Sequence, residues 1–60
     1  NGRNKMVDIW KLKRGDLFKV EGSDVILEYV KIDGMYSQAL TRDGQMTLIG
    51  LCRVELVEGK

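Results

Sequence analysis

The amino-acid sequence predicts an all-β chain, with five short strands rolled into one small barrel and an irregular N-terminal arm ahead of it. Two observations carry this expectation. Runs rich in Val, Ile, Leu and Tyr are short and are separated by turn signals about ten residues apart, the spacing of a small sandwich or barrel. In a chain without proline, glycine marks the turns, beside aspartate at Gly15-Asp16, Asp33-Gly34 and Asp43-Gly44.

Taken in chain order, Val7–Arg14 fits either a short helical turn through Ile9, Leu12 and Lys13 or, as we prefer, an irregular arm that plugs one end of the barrel. The strands follow as Leu17–Val20, Val25–Ile32, Met35–Leu40, Gln45–Gly50 and Leu51–Val57, the last two meeting at a bend. In the second strand Leu27, Val30 and Ile32 do not keep one parity. Either Leu27 and Tyr29 face inward or a bulge shifts the strand midway. The last strand alternates Cys52, Val54 and Leu56 with Arg53 and Glu55, giving a half-buried strand with one wet face. A meander bending at Gly34 and Gly50, and closed by pairing its first strand with its last, is an SH3-like small barrel.

The hairpin around Asp43-Gly44 permits a sharper deduction. A two-residue loop pairs Arg42 with Gln45 and leaves both faces half apolar. A three-residue loop, with Gly44 in the left-handed conformation, pairs Thr41 with Gln45 instead. It then gathers Tyr36, Leu40, Met46 and Leu48 on one face and Ser37, Ala39, Thr41, Gln45 and Thr47 on the other. The cleaner separation selects the second register. It predicts Met46 and Leu48 buried, Thr47 exposed, and Gly50 opposite Tyr36, whose ring enters the core. Gln38 interrupts the apolar face.

Sixty residues make one domain, divided into a basic arm over 1–14 and a barrel over 15–60. Its composition of 43% hydrophobic and 32% charged residues is that of a globular chain that folds alone. A single cysteine and no histidine exclude an internal disulfide and the usual zinc ligand sets, so the apolar core must carry the fold. No apolar run approaches the roughly 20 residues of a membrane span, and no signal-peptide core opens the chain. A cytoplasmic location and no membrane partner are expected. The net charge of +1 hides an asymmetry: residues 1–14 carry +4 and the remainder −3. Residues 1–5 precede Met6 and are either native or the remnant of an artificial or fragment boundary.

Catalysis has few means here. Histidine, the usual acid–base group near neutral pH, is missing. Asp16, Asp33 and Asp43 are explained as turn residues beside glycines. Cys52 reads as a small buried hydrophobe, chemically quiet. No phosphate-cradling loop, metal-ligand spacing or nucleophile elbow is present. We therefore expect no enzyme, no cofactor and no metal.

Binding has more candidates. Trp10 lies among Lys11, Lys13 and Arg14, a basic-aromatic cluster suited to stacking on bases and clamping phosphates. We prefer a lid role for the ring, because so small a domain needs every large ring for burial. Lys31 and Arg53, with Lys19, alternate with core residues and point to solvent. Arg42 stands at the hairpin tip, and Gln38 is a polar residue in an otherwise apolar row. A protein partner is the expected ligand, with Trp10, Lys11, Lys13, Arg14, Lys31, Gln38, Arg42 and Arg53 as its candidate contacts. The alternative is nucleic acid held by the basic arm with Lys31 or Arg53, against which the nearly neutral charge weighs.

The stretch Leu12–Val20, in which Gly15-Asp16 launches an apolar–polar strand, resembles the opening strand of SH3-like small barrels and the start of the MazF-type toxin ribonucleases. The following loop, Glu21-Gly22-Ser23-Asp24, lacks the toxins' proline-bearing pattern, so their activity is not carried over. From Gly15 to Gly44 the chain resembles small uncharacterised bacteriophage proteins that share a Gly-Asp-x-Phe start, a mid-chain tyrosine and an Ile-Asp-Gly-Met-Tyr-Ser turn, here Ile32–Ser37. That resemblance implies a phage accessory protein acting in the host cytoplasm.

Overall fold

The computed structural model describes residues 5–57. They form one antiparallel sheet of six strands: β1 Lys5–Asp8, β2 Leu17–Val20, β3 Leu27–Asp33, β4 Tyr36–Leu40, β5 Met46–Gly50 and β6 Arg53–Val57. The spatial order is β1-β6-β2-β3-β4-β5. The all-β expectation holds, and the first predicted strand does pair with the last, from Leu17↔Val57 to Val20↔Val54. Two corrections follow. There is a sixth strand, and the sheet is not closed into a barrel, because β1 and β5 remain as its edges.

The additional strand comes from the arm. Lys5–Asp8 pairs with β6 through Lys5↔Leu56 to Asp8↔Arg53, and a single 3-10 turn, Ile9–Lys11, follows. The Ile9 N–H donates to the Cys52 carbonyl at 2.9 Å, and Ile9 and Leu12 are buried while Trp10 between them is not. The arm thus seals the core with its aliphatic residues instead of its ring. The part of the predicted basic arm before Lys5, Arg3 included, lies outside the described residues.

At Gly15-Asp16 the chain turns into β2. Gly15 has φ +96°, a conformation that costs a side-chain-bearing residue about 1–2 kcal/mol. The Asp16 carboxylate accepts the Lys13 N–H at 2.8 Å, confirming its turn role. The Gly15 N–H donates to Tyr29 O at 2.9 Å and the Tyr29 N–H to Asp16 O at 2.8 Å, which aligns β2 on β3.

The core consists of Ile9, Leu12, Phe18, Leu27, Tyr29, Ala39 and Val54, with Val7, Val20, Ile49 and Leu56 packed against it. Phe18 is fully buried, and a ring so placed contributes roughly 1.5–3 kcal/mol, a large share for a domain of this size. Both alternatives posed for β3 occur together: Leu27 and Tyr29 face inward, and the register shifts between Tyr29 and Lys31.

The β4–β5 register is as deduced. The Thr41 N–H donates to Gln45 O at 2.9 Å, Gly44 has φ +87°, and Tyr36 lies opposite Gly50. The assignment of faces is reversed. Ser37 and Ala39 are fully buried, whereas Tyr36, Met46 and Leu48 are about half exposed. Small side chains let β4 lie flush within the cluster that Phe18, Tyr29 and Val54 fill, so the large side chains of the hairpin turn outward. Thr47, expected in solvent, is half-buried. Cys52 is also corrected: it stands in the bend before β6 begins at Arg53 and is exposed. Strand alternation projected backwards from Val54 does not survive a bend.

Candidate interaction surface

Residues directly paired across an antiparallel sheet project on the same face. The register therefore builds the outer face row by row: Leu17, Glu28, Leu40 and Met46; then Lys31, Gln38 and Leu48; then Asp33, Tyr36 and Gly50. Tyr36 is 52% exposed, Met46 53% and Leu48 55%, and Met35 on the adjoining turn is 80% exposed. That turn is a two-residue loop with Gly34 first, at φ +65°, as a type II′ hairpin requires. It projects Met35 beyond the end of the sheet.

Polar groups punctuate this surface. Gln38 donates through Nε2 to the Asp33 carboxylate at 2.9 Å, which anchors both on the outer face. Beside the first row lies a groove of about 260 Å³, lined by Leu17, Ile26, Leu27, Leu40 and Thr41 with Glu28 and Arg42 as its charged members. Asp43 and Thr41 hydrogen-bond through their side chains, and Thr41 Oγ1 accepts the Gln45 N–H at 3.0 Å, so the tip bearing Arg42 is internally braced.

Three predicted site residues, Lys31, Gln38 and Arg42, therefore gather around the hairpin's outer face. Between them lie Met35, Tyr36, Met46 and Leu48, of which the alternation assigns Tyr36, Met46 and Leu48 to the core and not to a binding surface. Gln38 was the available signal, because a primary amide in the middle of a row marks a wet face.

The other candidates lie elsewhere. Trp10 is 52% exposed on the 3-10 turn, which overturns the lid, and Lys11, Lys13 and Arg14 are exposed around it. Arg53 opens β6 opposite Asp8, and Lys19 pairs with Glu55. Of Lys19, Lys31 and Arg53, two face carboxylate residues across the sheet and the third faces Gln38. Among the described residues, no group of His, Cys, Asp and Glu could hold a metal ion, and no helix is long and apolar enough to cross a membrane. No family model, curated protein or solved structure matches the chain.

Proposed function

We propose that this chain is a non-enzymatic interaction module that binds a protein partner on the outer face of the β4–β5 hairpin. The observation that carries this is the row of large apolar side chains left half or more exposed at Met35, Tyr36, Met46 and Leu48 while Ser37 and Ala39 take the interior. A sheet face that keeps its large residues for solvent has the composition of an interface centre, with aromatic and methionine residues enriched, and Lys31 and Arg42 supply a polar rim. The pairing of β2 with β6 is the feature of the sheet that supports reading it as an SH3-like module. The Gly15–Gly44 resemblance alone supports a phage accessory role in a host cytoplasm.

A second binding mode has one observation in its favour. The exposed Trp10 amid Lys11, Lys13 and Arg14 is the layout of a stacking platform on a basic groove, suited to single-stranded nucleic acid. Affinity capture from a host lysate with three forms of the protein separates the two. The Met35→Ser/Tyr36→Ser variant should keep its fold and lose its protein partner. The Lys11→Ala/Lys13→Ala/Arg14→Ala variant should keep that partner. The reverse pattern would transfer the function to the arm.

A further inference from the structure

We infer that β5 is the seam of a symmetric dimer, in which two copies pair antiparallel, edge to edge, about a two-fold axis at Leu48. Antiparallel ladders alternate hydrogen-bonded with non-hydrogen-bonded pairs, so one bonded pair assigns the rest. The Thr41 N–H to Gln45 O bond makes Thr41/Gln45 a bonded pair. Stepping by two, Ala39/Thr47 and Ser37/Ile49 are bonded as well. Ile49 O, accepting the Ser37 hydroxyl at 3.1 Å, indeed faces β4. The backbone N–H and C=O of Met46, Leu48 and Gly50 must then point the other way, along an edge that pairs with no strand among the described residues.

Natural edges are usually guarded by charge, proline or a bulge. The opposite edge, β1, has Lys5 and Asp8 at its two ends, whereas β5, Met46-Thr47-Leu48-Ile49-Gly50, carries no charge and pairs with β4 without a bulge. A second copy fits this edge in detail. With the axis at Leu48, Leu48 faces the partner's Leu48 and Met46 faces the partner's Gly50. Every outward donor then meets an outward acceptor of the same parity, and a one-residue shift would satisfy none of them. Gly50 leaves room for the methionine opposite, since nothing lies within 4 Å of where its Cβ would stand. No like charges meet along the strand. Joining the two six-stranded sheets would also merge the two outer apolar faces into one continuous surface.

Sedimentation of the full chain from micromolar to millimolar concentration should show twice the monomer mass of 6.8 kDa as concentration rises. Leu48→Lys places two ammonium groups at the axis and should weaken association at least about tenfold, while its circular dichroism stays native. A register test uses single cysteines in a Cys52→Ser background. Leu48→Cys should cross-link to itself under mild oxidation, because facing Cα atoms in a bonded pair are about 5.5 Å apart, within disulfide reach. Met46→Cys should not, since the two copies of that position are roughly 14 Å apart along the strands. A monomer at every concentration, a dimer indifferent to Leu48→Lys, or equal cross-linking at both positions would overturn the inference. It stands apart from the binding role above: a dimer that captures nothing, or a monomer that captures a partner, tells the two failures apart.

Discussion

Cys52 shows how the surroundings of a single residue decide its chemistry. Two residues ahead of the buried Val54 it would be a core side chain in an unbroken strand, but the chain bends at Leu51 and Cys52, and β6 starts only at Arg53. The sulfur is consequently exposed, and what the rest of the fold uses from this residue is its carbonyl, which accepts the Ile9 N–H. The native protein should therefore react with a thiol reagent at neutral pH within a few-fold of the rate of the unfolded chain. Cys52→Ser should leave the melting temperature essentially unchanged, because no core contact is lost. Protection of the thiol by orders of magnitude would mean that the side chain turns inward. Ser37 is the converse case: a polar residue with no exposed surface, made tolerable by one hydroxyl hydrogen bond to Ile49 O.

At the scale of the element, the β4–β5 hairpin separates what was legible in the chain from what was not. Loop length and period-two alternation settled its register: Thr41 opposite Gln45, Tyr36 opposite Gly50, and Gly44 at positive φ. Alternation sorts residues into two sets but does not say which set is inside. Apolarity pointed to Tyr36, Leu40, Met46 and Leu48, whereas packing chose Ser37 and Ala39, whose small volumes suit the level where Phe18, Tyr29 and Val54 already fill the interior. That choice depends on neighbours distant in sequence, which is why alternation alone places Tyr36, Met46 and Leu48 on the wrong side. The arm was mixed for the same reason: Ile9 and Leu12 are buried by contacts made with other strands, and local pattern alone could not rank them above Trp10. The register itself rests on Gly44, whose φ of +87° strains any L side chain. Gly44→Ala should destabilise the protein by about 1–2 kcal/mol. In a domain of this size that lowers the melting temperature by roughly 4–8 °C per kcal/mol. An unchanged melting temperature would show that another loop conformation is equally good.

Across the whole molecule, charge decides between the two kinds of partner. The segment 1–14 carries +4 and the rest −3, so a polyanion meets attraction at the arm and repulsion over most of the sheet. On the sheet the register sets Lys19 opposite Glu55 and Arg53 opposite Asp8, so carboxylates alternate with the basic residues there. The basic residues that cluster around an exposed ring are Lys11, Lys13 and Arg14, beside Trp10. Each phosphate neutralised contributes about −0.7 to −0.9 to the log–log dependence of affinity on salt, so three such contacts give a slope of roughly −2 to −3. A term of that size, drawn from so few contacts on a body of opposite sign, is largely lost near 0.15 M salt, where the Debye length is about 8 Å. Fluorescence anisotropy with labelled single- and double-stranded oligonucleotides should accordingly show weak binding at low salt and no micromolar complex at about 0.15 M. Trp10→Ala should weaken the low-salt binding to single strands more than to duplex, because only unpaired bases offer a free stacking face. A micromolar complex that persists at physiological salt and disappears in the Lys11→Ala/Lys13→Ala/Arg14→Ala variant would make the arm, and not the apolar hairpin face, the functional surface.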